Sequence, residues 1–135
     1  MHQSERFKLK NQTKEYGLAD EGFSTQAALF DYDLDGLLDV YIVNHSVFWF
    51  KPLPLKYAKK RRVFPNQDRL YRNIGNGKFS NVSDQCGLID EVFGGYGLGV
   101  SISDIDPDIY ATNDYEGPDF IYINNGDGTF TESLQ

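Results

Sequence analysis

Short apolar runs recur along this chain, and each is cut off by a cluster of Gly, Asn or Asp. Ala27-Ala28-Leu29-Phe30 and Val40-Tyr41-Ile42-Val43 flank one such cluster; Leu70-Tyr71 and Ile121-Tyr122-Ile123 each precede another. The runs are two to four residues long, and Val40–Val43 is β-branched and aromatic, which predicts strands rather than helices.

The pattern also repeats. Leu70-Tyr71-Arg72-Asn73-Ile74-Gly75-Asn76-Gly77-Lys78-Phe79 returns as Ile121-Tyr122-Ile123-Asn124-Asn125-Gly126-Asp127-Gly128-Thr129-Phe130. Asp39-Val40-Tyr41-Ile42-Val43-Asn44 returns as Asp108-Ile109-Tyr110-Ala111-Thr112-Asn113, and Phe30-Asp31-Tyr32-Asp33 as Ser103-Asp104-Ile105-Asp106. Thr13–Leu18 parallels Ser83–Leu88, each copy ending in Gly-Leu. One unit therefore reads strand, Asp-rich loop, strand ending in Asn, variable connection, strand, Asn-x-Gly-x-Gly turn, strand. Gly supplies positive φ in such turns, and Asn or Asp tolerates the left-handed region. Four short strands per repeated unit predict an all-β fold of β-propeller-type blades. The expected organisation is a preceding-blade tail over residues 1–22, a first repeat over 23–92 with an insertion at about 45–68, and a second over 93–135. Two such units do not close a ring, so the chain is expected to complete a larger assembly.

Asp31-Tyr32-Asp33-Leu34-Asp35-Gly36-Leu37-Leu38-Asp39 carries the densest chemistry, with Asp at loop positions 1, 3, 5 and 9 and Gly at position 6. Four carboxylates this close repel one another at neutral pH, and a hard divalent cation relieves that repulsion. Calcium takes oxygen ligands from alternate loop residues, and the glycine permits a sharp turn. The expected ligands are Asp31, Asp33, Asp35, the Leu37 carbonyl and Asp39. The flanks are strands rather than helices and position 12 is Ile42, so this is not an EF-hand. The competing reading is an Asp/Gly hairpin turn without metal. The second copy, Asp104, Asp106 and Asp108, lacks four residues of the first. Either that second metal site is lost or a loop is missing from the sequence.

These residues resemble the FG-GAP/VCBS repeats, particularly those of the ASPIC/UnbV and cartilage-acidic-protein type. The carriers are Asp31-x-Asp33-x-Asp35-Gly36-x-x-Asp39, Leu70-Tyr71-Arg72-Asn73-x-Gly75-x-Gly77-x-Phe79 and Tyr122–Phe130, and the resemblance spans most of residues 13–133. It implies propeller blades in rings of about seven, calcium between the first two strands, and extracellular, periplasmic or cell-surface proteins used for adhesion or as scaffolds.

The insertion begins Val47-Phe48-Trp49-Phe50, is punctuated by Pro52 and Pro54, and continues to Lys59-Lys60-Arg61-Arg62. The matching connection in the second unit is only Asp114–Asp119. Phe48, Trp49, Phe50, Lys59, Lys60, Arg61 and Arg62 fit a partner-binding segment. They equally fit an apolar triplet packed beneath the loop with a solvated basic run.

With 20 acidic and 13 basic residues the chain has a formal charge of −7, which disfavours nucleic acid as a partner. Partners are expected to be protein, as further blades or subunits, or glycan. Cys86 is the single cysteine and reads as a buried structural thiol. His45 reads as a turn residue, and Tyr41, Tyr71, Tyr110 and Tyr122 as packing residues. Asn11, Asn44 and Asn81 sit in glycosylation sequons, which matter only in a eukaryotic secretory pathway. The start of the chain is polar with no signal peptide in it, and no apolar run reaches transmembrane length. Nucleophile-elbow, zinc-protease and phosphate-loop motifs are absent, so no enzyme is read here. Two classes stay open: a calcium-binding scaffold or macromolecular binding module, and a non-catalytic part of a larger enzyme or multi-subunit complex.

Overall fold

The computed structural model describes residues 8–45, 67–88, 97–103, 106–113 and 119–133. A one-turn helix, α1 (Thr13–Tyr16), is followed by strands β1 (Ser24–Phe30), β2 (Asp39–Asn44), β3 (Arg69–Gly75), β4 (Lys78–Asn81), β5 (Gly97–Ile102), β6 (Ile109–Asn113), β7 (Phe120–Asn124) and β8 (Phe130–Glu132). They form two four-stranded antiparallel meanders, β1-β2-β3-β4 and β5-β6-β7-β8. The all-β expectation holds, with one sheet over residues 24–81 and one over 97–132.

The two sheets share one register. Ser24 pairs with Asn44 and Gln26 with Val43 across a bulge in the first; Gly97 pairs with Asn113 and Gly99 with Thr112 across the same bulge in the second. Leu29 faces Val40 as Ile102 faces Ile109. The four-residue length difference therefore falls wholly in the loop between the first two strands. A difference of four leaves the inward and outward faces in phase, because side chains alternate with period two. The short loop closes by its own bonds: Ser103 N–H donates to the Asp108 carbonyl (3.2 Å), and Ser103 Oγ pairs with the Asp106 carbonyl.

The main core lies between the sheets. Tyr41, Val43 and Leu70 of the first sheet and Ile109, Ala111, Phe120 and Tyr122 of the second are buried in it, with Cys86 and Leu88 from the connection. Val40, Ile42 and Tyr71 point the other way and pack with Leu18 and Phe79. β2 is thus buried on both faces, which is why its sequence is continuously apolar. In the second sheet Ile109 and Ala111, equivalent to Val40 and Ile42, face the first sheet. Tyr110, equivalent to the wholly buried Tyr41, is 40% exposed. The sheets pack head to tail, with opposite faces in contact.

The tails interlock with the following unit. Leu18 N–H donates to the Thr13 carbonyl (2.8 Å) and Leu88 N–H to the Ser83 carbonyl (3.1 Å), around left-handed Gly17 and Gly87. Asn11 caps the first tail through Thr13, and Asn81 caps the second through Ser83, so these two of the three sequon asparagines are turn-forming residues. A Cβ on Gly17 would lie 2.5 Å from the Phe79 carbonyl oxygen, and one on Gly87 2.9 Å from that of Phe130. Each tail therefore lies against the outer strand of the next sheet. The first tail contains a helical turn, which the strand pattern did not predict; a Gly-terminated αL cap ends it.

His45 is no turn residue: it extends β2 by one bridge, its N–H donating to the Phe23 carbonyl (2.9 Å). Cys86 is buried, as expected. Among the described residues no helix is long and apolar enough to cross a membrane.

The edge strands β1 and β5 meet along the seam between the sheets. Thr25 Oγ1 donates to the Gly97 carbonyl (2.9 Å), and Gln26 Oε1 accepts from Val100 N–H (3.0 Å). A Cβ at Gly97 would meet Val43 Cγ1 and sit 2.8 Å from the Asn44 carbonyl oxygen. Gly97→Ala should therefore cost about 1–3 kcal/mol through overpacking of this seam. Urea denaturation measures it, and an unchanged midpoint would mean that the sheets do not meet as described.

Candidate metal centre

The acidic loop joins β1 to β2 at the edge of the inter-sheet core. Its last carboxylate, Asp39, is wholly buried. Asp39 Oδ2 accepts from Tyr32 N–H (3.1 Å) and Oδ1 from Asn73 N–H (2.7 Å). One side chain thus ties the loop to its own hairpin and to β3. The second unit keeps the same bond without the long loop: Asp108 Oδ1 accepts from Asn124 N–H (2.8 Å).

The rest of the loop wraps around its own carboxylates. Asp31 Oδ1 accepts from Asp35 N–H (3.0 Å) and Asp31 Oδ2 from Gly36 N–H (2.8 Å). Gly36 is left-handed, as the sharp turn at position 6 requires, and Leu34 is left-handed as well. Asp35 Oδ1 accepts from Leu37 N–H (2.9 Å). Arg72 from β3 reaches over the loop, Nε donating to Asp33 Oδ2 (2.8 Å) and Nη2 to Asp35 Oδ2 (3.3 Å).

Carboxylate oxygens of Asp31, Asp33 and Asp39 lie within 4.8 Å of one another. The remaining Asp33 oxygen, Oδ1, is buried without a hydrogen-bond partner among the described residues. A buried, unpartnered carboxylate oxygen is costly, and a cation offsets that cost. The donors are all hard oxygens, the set that suits calcium or magnesium rather than zinc or copper. The residues present fit such an ion.

The structure thus brings together three of the expected ligands. Asp35 instead engages the Leu37 amide and Arg72, and Leu37 is partly exposed beside it. Asp106 and Asp108 flank the short second loop, whereas Asp104 lies outside the described residues. So do Phe48, Trp49, Phe50, Lys59, Lys60, Arg61 and Arg62 of the insertion.

A second network closes the other end of each sheet. Tyr41 hydroxyl donates to Asp68 Oδ2 (2.6 Å) and Asn44 N–H to Asp68 Oδ1 (3.0 Å). In the second unit Tyr110 hydroxyl donates to Asp119 Oδ2 (2.7 Å) and Asn113 N–H to Asp119 Oδ1 (2.8 Å). Tyr41 and Tyr110 are more than packing residues. The two aspartates escaped the sequence reading because each sits in the variable connection, five or more residues from its partners. Asp20 is a further acceptor, receiving the Tyr71 hydroxyl (2.9 Å).

The acidic loop also touches the second sheet. Tyr32 stacks on Phe130 with ring centroids 6.0 Å apart, and its carbonyl accepts from Asn124 Nδ2 (2.8 Å). A cleft of about 370 Å³ opens beside it, lined by Tyr32, Asp33, Arg72, Gln85, Cys86 and Asp127 among others. The chain matches no protein-family model and no curated protein.

Burial pushes the carboxyls of Asp39 and Asp68 up to about 6, although the hydrogen bonds that each accepts pull the other way. Asp119 and Asp127 are held below their ordinary value by accepted hydrogen bonds. A carboxyl raised in the folded state keeps its proton where the unfolded chain has released it, from about pH 4 to about 6. Over that window Asp39 and Asp68 make stability fall as pH rises, levelling off above about 6; Asp119 and Asp127 act only at lower pH. Asp68→Asn removes one titration and one acceptor. In chelator it should be less stable than the wild type at pH 4, by about 1–3 kcal/mol, and the gap should narrow by pH 7. A gap that widens with pH on urea denaturation would contradict the assignment.

Proposed function

We propose that this chain is a non-catalytic, calcium-stabilised repeat module of the FG-GAP/VCBS kind, two blades of a β-propeller that serves as a scaffold or macromolecular binding platform outside the cytoplasm. The observation that carries the calcium reading is the oxygen-only group of Asp31, Asp33 and Asp39, one of whose carboxylates, that of Asp33, keeps a buried, unpartnered Oδ1. A plain Asp/Gly turn needs no third carboxylate and leaves no such atom.

The head-to-tail contact supports the blade reading. Opposite faces of equivalent sheets meet, so the interface is heterologous, and repetition of a heterologous contact generates a ring or an open array. The face carrying Tyr110 corresponds to the face that the second sheet covers on the first. Asp31, Asp33 and Asp39 would hold the ion, and its chemistry here is charge neutralisation: it lets four acidic side chains share one turn. The chain's own bonds from Asp39 and Tyr32 then place that turn against β3 and the second sheet.

Calorimetric titration of the chelator-stripped protein should show one calcium site, lost in Asp33→Asn. A hundredfold excess over Kd should stabilise the fold by about 2.7 kcal/mol. Affinity should fall on acidification below about pH 6, by up to about tenfold per unit, because the ion needs Asp39 deprotonated. Absence of both heat and thermal shift at millimolar calcium would leave the loop a metal-free turn.

A further inference from the structure

Arg72 is the one cation that reaches into the acidic loop among the described residues, through both of the salt bridges recorded there. It divides the Asp33 carboxylate in two: Oδ2 receives Nε at 2.8 Å, while Oδ1 stays buried and unpartnered, in the carboxylate that groups with Asp31 and Asp39. The same guanidinium holds Asp35 Oδ2, turning that carboxylate toward β3. The second unit supplies an internal control. Its register matches the first, yet the position of Arg72 is Ile123 and the shortened loop has no counterpart of Asp35. The arginine and the long acidic loop occur together, and both are missing together.

We propose that Arg72 is a tethered counter-cation of the loop: it neutralises Asp33 and Asp35 when no metal is bound, and thereby lowers the loop's affinity for a divalent ion. The inference rests on the calcium reading for its second half only. Coulomb repulsion among four carboxylates opposes the closed loop, and a guanidinium in contact with two of them offsets part of it. The same positive charge repels an incoming divalent ion. Arg72 is 43% exposed, so water and salt weaken both effects.

The test uses Arg72→Ile, which copies the second unit, and Arg72→Lys, which keeps the charge without the two-pronged geometry. In low-salt buffer with calcium titrated calorimetrically, Arg72→Ile should bind at least about fivefold tighter than the wild type. Arg72→Lys should stay within about twofold, and the Ile advantage should shrink at about 0.5 M salt. With chelator present, Arg72→Ile should melt below the wild type, and adding Asp35→Asn should recover part of the loss. Calcium affinity that is unchanged or weaker in Arg72→Ile overturns the proposal, since it would make Arg72 an aligning group or a bystander. If the wild type binds no calcium, the calcium reading fails and the chelator arm decides: a melt of Arg72→Ile equal to the wild type overturns the counter-cation, and a lower melt rescued by Asp35→Asn sustains it.

Discussion

The structure depends on one buried carboxylate. Asp39 begins β2 with no solvent contact and spends its oxygens on the amides of Tyr32 and Asn73. The first bond fixes the exit of the acidic loop, and the second fixes β3 beside β2. Loss of either acceptor strands a buried N–H, at a cost of roughly 1–3 kcal/mol each. The second unit repeats the β3 bond as Asp108 to Asn124, although its loop is four residues shorter. The aspartate therefore has a structural duty that survives without the full loop. The carboxylate cluster of the first unit is built onto it.

That double duty explains the electrostatic tension of the site. Burial favours a protonated Asp39, whereas the two amides and any bound cation favour the carboxylate. Asp31 and Asp35 satisfy loop amides, Asp33 is shared with Arg72, and only Asp33 Oδ1 lacks a partner. The loop's own bonds close it, and one buried carboxylate oxygen is left uncompensated among the described residues. Tyr32, which lies between Asp31 and Asp33, carries this state to the neighbouring sheet through Phe130 and Asn124. The seam between the sheets and the loop therefore share a residue.

Most of this frame was legible in the sequence because it is written in short range. Strand runs, Gly-containing turns and the 1-3-5-9 carboxylates are local patterns, and residues matched between the two halves of the sequence take the same register in the two sheets. The shortened second loop read as a lost site or a gap; in the structure the described strands on either side keep their pairing, so the sheet closes without those residues. What escaped was contact across sequence distance. Arg72 read only as part of the repeated Leu70–Phe79 motif, Asp68 as the end of an insertion, and Tyr41 as packing, because their partners lie 24 to 39 residues away. Asp35 read as a ligand equal to the others, since spacing alone does not reveal that a strand two positions over supplies a competing guanidinium.

The central claim is that the Asp31, Asp33 and Asp39 oxygens form a cation site rather than a turn. Anomalous diffraction from crystals grown with millimolar calcium tests it most directly. The account predicts one strong anomalous peak in contact with Asp33 Oδ1 and with oxygens of Asp31 and Asp39. A water molecule at that place, with Arg72 unmoved and no anomalous signal, would contradict it.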